Sequence, residues 1–377
     1  MQFLSRTIVL SANSDWNIAN FRQGLIRALR SAGYEPVVIA PKDPAAEARM
    51  AALDVQRIPV RIERSGRNPL ADARLLLEYK RLLGKLRPAA YLGFTIKPNI
   101  YGSLAAASLG IPAIPNVSGL GTAFIRRGML QQIVTRLYRV AFSRCPVVFF
   151  QNDEDRQLFV DRGIVEDRQA RVLPGSGVDL EHFTPRPPTN GPPAFLLVGR
   201  LLRDKGVREF VGAARALSPM LTGSRFQLLG PIDQANRTAI TRAQLDDWVA
   251  DGVVEYLGVT DDVRPYMAKA TAVVLPSYRE GLPRSLLEAA AMERPLIAAD
   301  VPGCRDVVED GVNGYLCDPR DSRSLASAMR RMAALSPAER LAMGQAGRRK
   351  VQEQFGEELV VQSYLDVLDG LDRNKGA

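Results

Sequence analysis

Phe195-Leu-Leu-Val-Gly-Arg-Leu-Leu-Arg-Asp-Lys-Gly-Val-Arg-Glu-Phe210 opens on an apolar run, turns at Gly199, and passes Arg200 and Lys205 before entering a helical pattern. A short apolar run closed by glycine reads as a buried strand, and the apolar spacing after it as the helix that follows. Glycine at the turn lets backbone approach another group closely, and a helix start offers N–H groups without partners inside the helix. Two cations at such a start are what a diphosphate needs. Two solvated bases on a loop are the plain alternative, and this segment alone does not choose between them.

The same alternation fills the chain on either side. Strands are expected at Thr7–Leu10, Pro36–Ala40, Val55–Val60, Ala113–Val117 and Val147–Phe150. A second series is expected at Ala194–Val198, Arg225–Leu229, Val253–Leu257, Ala272–Leu275 and Leu296–Ala299. Helical patterns such as Ile18–Ser31, Leu70–Leu86, Gly206–Leu217 and Arg284–Met292 lie between them. This order predicts an α/β fold of doubly wound parallel sheets. Thr184–Pro193 holds five prolines in ten residues, which suits neither a helix nor a sheet interior. The expected division is a Rossmann-like domain over 1–183, a linker over 184–193, a second Rossmann-like domain over 194–355, and a final amphipathic helix over 356–377. Ligands of such sheets sit at the carboxyl ends of the strands, so two facing halves would hold theirs in a cleft.

A chain of 377 residues can bury a sizeable core unaided, and 46% apolar with 24% charged residues excludes disordered and collagenous classes. Cys145, Cys304 and Cys317 make neither a disulfide framework nor a CxxC pair, which fits a reducing cytoplasm. The opening residues lack the apolar core and cleavage site of a signal peptide. Pro98–Ile125 is uncharged over 28 residues, but prolines and glycines interrupt it, so no spanning helix is expected. Residues 1–183 hold 25 Lys+Arg against 16 Asp+Glu, whereas 184–377 hold 25 of each, so the net charge of +9 belongs to the first half. Ten bases and no acid lie between Tyr79 and Asn152. That half calls for an anionic partner: nucleic acid, a phosphate-bearing substrate or anionic lipid. The bases lack the aromatic interleaving of a stacking platform, which argues against nucleic acid.

A second segment, Val274-Leu-Pro-Ser-Tyr-Arg-Glu-Gly-Leu-Pro-Arg-Ser-Leu-Leu-Glu288, puts Glu280 on a loop after a strand and Glu288 inside the helix that Pro283 opens. The loop N–H groups make an anion site, and the carboxylates can accept from sugar and ribose hydroxyls. Taken alone, ordinary helix-end carboxylates favoured by the dipole are the plainer reading.

Together, GlyArg(x)4LysGly at 199–206 and ProSer(x)2GluGly(x)6Glu at 276–288 resemble the C-terminal half of retaining glycosyltransferases of the GT-B fold, family 4. The resemblance continues through Asp300-Val-Pro-Gly303 and Asp310-Gly-Val-Asn-Gly314. In the first half, Asn17-Ile-Ala-Asn-Phe-Arg22, Thr95-Ile-Lys-Pro-Asn99 and Ser118-Gly-Leu-Gly-Thr-Ala-Phe124 are similar to a bacterial subgroup that extends undecaprenyl-diphosphate-linked glycans, including enzymes that add N-acetylgalactosamine. The resemblance implies that Arg200 and Lys205 hold the donor diphosphate, Glu280 the transferred sugar and Glu288 the ribose. Gly199, Gly281, Leu282 and Ser285 complete the donor set, with the backbone of Gly281 and Leu282 on the phosphates. It implies acceptor contacts at Asn17, Arg64, Arg67, Lys97, Asn99, Gly119 and Gly121. It also implies a UDP-sugar donor, a polyprenyl-diphosphate acceptor, same-face attack with retention, no metal and no cofactor, and a final helix that crosses back to the first domain.

Two features depart from the family pattern. The histidine that many relatives carry in the first domain is missing, since the one histidine is His182 beside the linker. The glycine-rich first loop is replaced by Ser11–Asn20. A nucleotide-sugar 2-epimerase of the same fold is the rival enzyme, and the lone His182 argues against it. Asp153-Glu-Asp155 looks like a metal-binding DxD, yet three acids opening a helix are what the dipole and an N-cap select, so no metal is expected there. Ala123–Arg144 reads as a basic amphipathic helix, fit either to lie on an anionic leaflet or to pack on its own sheet. A lipid-diphosphate acceptor tips that balance towards the inner face of the cytoplasmic membrane.

Overall fold

A computed structural model of the chain describes residues 5–63, 68–119, 129–187, 191–234 and 236–376. They fall into two compact units, unit 1 of Met1–Ser176 with Glu358–Ala377, and unit 2 of Gly177–Glu357.

Unit 1 is built on seven parallel strands: β1 Thr7–Ser11, β2 Glu35–Ile39, β3 Gln56–Ile58, β4 Ala90–Gly93, β5 Ala113–Val117, β6 Val148–Phe150 and β7 Ala170–Val172. Their spatial order is β3-β2-β1-β4-β5-β6-β7. Side chains alternate between the two faces, as a pleated strand requires. Ile8, Leu10, Val38, Leu92 and Phe149 enter one core, and Val9, Val37, Ile39, Tyr91, Val148 and Phe150 enter the other. Helices α1 Asp15–Phe21, α2 Gln23–Ser31 and α3 Glu47–Ala52 cover the first face. Helices α4 Pro69–Leu86, α5 Ser103–Ser108, α6 Met129–Phe142 and α7 Asp153–Asp161 cover the second.

Three strands escaped the sequence reading, namely β4, β7 and, in unit 2, β13 Gly314–Cys317. Each is three or four residues long and holds at most one β-branched residue, so the strand pattern is weak there. The helical pattern over 18–31 divides at Arg22, which is buried with its guanidinium 4.3 Å from the Phe94 ring centre. The helix α6 turns its apolar side to its own sheet: Tyr138, Ala141 and Phe142 are buried, with Val134 and Leu137 packed against them. The part of the basic segment at 123–128 lies outside the described residues.

Unit 2 has six parallel strands, β8 Ala194–Val198, β9 Arg225–Leu229, β10 Glu255–Tyr256, β11 Ala272–Leu275, β12 Leu296–Ala299 and β13, in the order β10-β9-β8-β11-β12-β13. Helices α8 Val207–Leu217, α9 Arg242–Ala250, α10 Arg264–Ala268, α11 Arg284–Ala291, α12 Cys304–Val307, α13 Ser322–Ala334 and α14 Pro337–Gln354 surround one core.

The division of the chain differs from the expected one. The passage into unit 2 comes at Gly177, before the proline-rich segment. Val178 and Phe183 are buried in the unit 2 core, and Val178 bridges to Gly356. The half-buried Arg348 donates to the carbonyls of Leu180, Phe183 and Ala291, and the buried Arg294 to that of Arg186. Unpaired, these guanidinia would be costly to bury, so the segment before the prolines is held as part of unit 2. The last helix, α15 Glu357–Gly376, packs on unit 1. Its Val360, Tyr364, Val367 and Leu368 enter the first-face core, and the Tyr364 hydroxyl accepts from Asn116 Nδ2 at 3.0 Å.

Candidate functional site

In a doubly wound sheet the ligand crevice opens at the carboxyl ends of the strands, where the strand order reverses. In unit 2 that point lies between β8 and β11, which pair directly. The two segments singled out in the sequence leave the sheet there. After β8 the chain passes Gly199 and Arg200, makes one turn over Arg203–Lys205, and enters α8 through Gly206. Gly206 sits at φ 74°, and a Cβ there would stand 2.1 Å from the Pro276 carbonyl oxygen just beyond β11. Only glycine fits that approach. Tyr278 closes the gap a second time. Its N–H donates to the Asp204 carbonyl at 2.9 Å, and its hydroxyl to Glu209 Oε1 of α8 at 2.7 Å.

With the loops locked, Lys205 Nζ donates to Glu280 Oε1 at 2.5 Å, across 75 residues of sequence. The two side chains are 25% and 12% exposed, so each is largely desolvated and the other is its counter-ion. A third loop seats on them, because a Cβ on Gly303 (φ 78°) would stand 2.2 Å from the Gly281 carbonyl oxygen. Below lies Cys304, whose thiol is pushed well above its usual pKa by burial, with the Glu280 charge adding to the effect. It is a neutral packing group.

The other expected donor residues lie on the same two segments of chain. Glu288, on the second turn of α11, is 13% exposed and accepts from Arg284 Nε at 2.7 Å. Burial raises its carboxyl above the usual range, and Arg284 opposes that only in part. Ser285 lies in the first turn of α11, Leu282 packs against the unit 2 core, and Gly281 is buried. Arg200 is half exposed and donates to Asp233 Oδ2 at 2.9 Å. The contacts therefore join Lys205 to Glu280 and leave Arg200 with Asp233. Sequence reasoning missed Tyr278 and Asp233. Tyr278 stands two residues before Glu280, but its partners come from another strand's loop.

Unit 1 repeats the geometry between β1 and β4. A cavity of about 190 Å³ opens there, lined by Asn13, Thr95, Lys97, Asn99, Ser118, Gly119 and Tyr138 among others. Lys97 Nζ donates to Asp72 Oδ1 at 2.7 Å, and the Tyr101 hydroxyl to Oδ2 at 2.8 Å. Asn99 is buried in a π-helical turn, Pro98–Gly102, and its Nδ2 donates to the Asn116 carbonyl at 2.8 Å. Asn99 Oδ1 and Thr95 Oγ1 have no hydrogen-bond partner among the described residues. Such π-turns are frequent at functional sites. Of the expected acceptor residues, Lys97, Asn99 and Gly119 line the cavity. Asn17 does not, since it belongs to the start of α1 with its N–H on Ser14 Oγ, and Asn13 is the residue lining the cavity from this loop. Arg64, Arg67 and Gly121 lie outside the described residues.

Asp153, Glu154 and Asp155 open α7 behind Asn152, whose side chain caps the Asp155 N–H at 2.8 Å. Among the described residues no group of three His, Cys, Asp or Glu is placed to hold a metal ion. His182 is exposed and contacts Arg264, away from the Lys205–Glu280 pair.

Two family descriptions match this chain, a glycosyl transferase 4-like domain over residues 18–176 and glycosyl transferases group 1 over residues 192–334. The chain is a group 1 glycosyltransferase of the GT-B fold. This glycosyltransferase is 25% identical, over 95% of its length and 97% of the relative's, to the N,N'-diacetylbacillosaminyl-diphospho-undecaprenol alpha-1,3-N-acetylgalactosaminyltransferase of Campylobacter jejuni. It is 24% identical to the UDP-Gal:alpha-D-GlcNAc-diphosphoundecaprenol alpha-1,3-galactosyltransferase of Escherichia coli, covering 70% of this chain and 71% of that one. Among solved structures, sucrose-phosphate synthase from Thermosynechococcus elongatus superposes with a TM-score of 0.79 at 20% identity, covering 98% of this chain and 99% of that one. HepE of Anabaena, solved with UDP-glucose, gives 0.78 at 16% identity, covering 97% and 99%. At those identities the two structures speak for the glycosyltransferase's fold.

Proposed function

We propose that this glycosyltransferase moves a hexose or N-acetylhexosamine from a UDP-sugar to an undecaprenyl-diphosphate-linked saccharide, with retention and without a metal or cofactor. The observation that carries the reading is the Lys205–Glu280 pair, held at the switch point of unit 2 beside two helix starts. A nucleoside diphosphate leaves as an anion, and fixed positive charge aimed at it stabilises the transition state. On binding, the diphosphate replaces Glu280 as the partner of Lys205, and Glu280 turns to the hydroxyls of the transferred sugar. Arg200, half exposed, exchanges Asp233 for the same diphosphate. The Gly281 and Leu282 N–H groups meet the phosphates, and Glu288 accepts from the ribose. The acceptor oxygen bonds to the anomeric carbon on the face from which the leaving group departs. The carbon–oxygen bond to the β-phosphate breaks with its electron pair, and the hydroxyl proton passes to a β-phosphate oxygen.

Support for the acceptor comes from the diphospho-undecaprenol named in both relatives, and for the donor from the UDP-galactose named in the second. The unit 1 cavity, with Lys97, Asn99 and Gly119, would take the acceptor saccharide. No described helix is long and apolar enough to cross a membrane, and the reading places the enzyme peripherally on the inner face of the cytoplasmic membrane. The test is nucleotide release in EDTA with a panel of UDP- and GDP-sugars, with and without bacterial lipid-linked oligosaccharide. Lipid-dependent release from one UDP-sugar, lost in Glu280→Ala and in Lys205→Ala, is expected. Release that survives both substitutions would overturn the site.

A further inference from the structure

Helix α4 buries Leu75, Tyr79, Leu82 and Leu83 against its sheet. Its opposite face is not an ordinary solvated one. Leu70 is 70% exposed and Leu77 65%, among the most exposed large apolar side chains of the described residues. Arg74 and Arg81 stand between and after them, also exposed. Positions 70, 74, 77 and 81 fall on one helical stripe, so the outward face alternates leucine and arginine. The acids of α4 do not offset this charge: Asp72 is engaged by Lys97 and Tyr101, and Glu78 is half-buried.

The same side of unit 1 continues in α6, which shares a core with α4 through Tyr79 and Tyr138. Its outward residues repeat the composition, with Ile133 49% and Val140 61% exposed around the exposed Arg136. The first turn of α4 stands beside the cavity, because its Asp72 holds the cavity-lining Lys97.

We propose that the outward stripe of α4, Leu70-Arg74-Leu77-Arg81, lies on an anionic bilayer surface and presents the unit 1 cavity to a lipid-borne acceptor. Bulky aliphatic side chains among bases suit an interfacial helix, with the leucines below the headgroups and the arginines on the phosphates. The proposal rests on the lipid-linked acceptor read above and names the surface that meets the lipid.

The experiment is flotation of the full chain with phosphatidylethanolamine–phosphatidylglycerol vesicles and with phosphatidylcholine vesicles. The native chain should float with the anionic vesicles, and added salt should release it. Leu70→Ser with Leu77→Ser, and separately Arg74→Glu with Arg81→Glu, should each weaken binding about tenfold or more. Val249→Ser with Val259→Ser, on unit 2, should leave it unchanged. Flotation of both α4 variants like the native chain would overturn the proposal. So would loss confined to an Ile133→Ser, Val140→Ser variant, or a sedimentation shift showing that the leucines join two copies of the chain. Protection of each variant by UDP against thermal unfolding is read in parallel. Native UDP binding with lost flotation isolates the docking surface, whereas a native chain that floats but ignores UDP fails the donor reading alone.

Discussion

Units 1 and 2 lay their first six strands in the same order, β3-β2-β1-β4-β5-β6 and β10-β9-β8-β11-β12-β13, and both have a crevice where that order reverses. What fills the crevice differs. In unit 2 the loops close on one another through glycines, with a lysine and a glutamate paired between them. In unit 1 amide and hydroxyl groups share the lining with Glu63 and Lys97; among the described residues Asn99 Oδ1 and Thr95 Oγ1 have no partner, and Lys97 is tied to Asp72. A repeated backbone thus carries a lysine–glutamate pair that bridges two loops in one half, and a crevice with unpartnered amide and hydroxyl oxygens in the other. The topology supplies the crevice, and the loops supply the chemistry.

The comparison is tested most severely at the charged site. Glu280→Ala and Lys205→Ala should each lower kcat by roughly 10²–10³-fold. Because the two act as one unit, the double variant should fall little further, as a double-mutant cycle on initial rates would reveal. Independent losses that multiply would mean that the pairing has no functional weight. Next in size is the backbone lock. Gly206→Ala places a Cβ 2.1 Å from a carbonyl oxygen and should cost about 3–5 kcal/mol in urea unfolding. Gly163→Ala in unit 1, at φ 58° with nothing within 4 Å, should cost only about 1 kcal/mol. Equal costs would remove the claim that the unit 2 loops are braced on each other.

On the unit 1 side, Lys97→Met should raise the acceptor KM about tenfold and leave the donor KM unchanged, the loss of one charge-assisted contact. A change in the donor KM alone would place Lys97 in the wrong half of the reaction. The smallest expected effect is on pH dependence. The Glu288 carboxyl is raised in the folded chain by burial. It therefore stabilises the fold fully below the unfolded value of about 4.3 and loses that contribution as pH rises through the folded value. Urea midpoints of the native chain should fall relative to Glu288→Gln as pH rises above about 4.3. Parallel curves would show that Arg284 compensates fully.

Much of this was legible before any coordinates. The strands of unit 2 that carry the site, β8 and β11, announce themselves as apolar runs ended by Gly199 and by Pro276, and the helices behind them by their spacing. The cations and acids sat on the turns that follow. Strand β4 was not legible, although it forms the other wall of the unit 1 crevice, because Ala90–Gly93 is four residues long and holds no β-branched residue. The proline-rich segment looked like the boundary, yet the chain had already joined unit 2 at Gly177, held by Val178, Phe183 and the half-buried Arg348. Proline marks where regular structure ends, and it carries no information on which core the preceding residues enter.

The sequence by itself determined the class of fold, the two turns on which Lys205 and Glu280 stand and the basic character of the first half, because periodicity, turn chemistry and charge are local properties. Tertiary structure decided the rest. It set Lys205, rather than Arg200, against Glu280, placed Asn13 rather than Asn17 at the cavity, turned α6 onto its own sheet and left Leu70 and Leu77 of α4 outside. Each of those depends on which distant loop or sheet face a side chain meets, and that is fixed only when strands far apart in sequence take neighbouring places in the sheet.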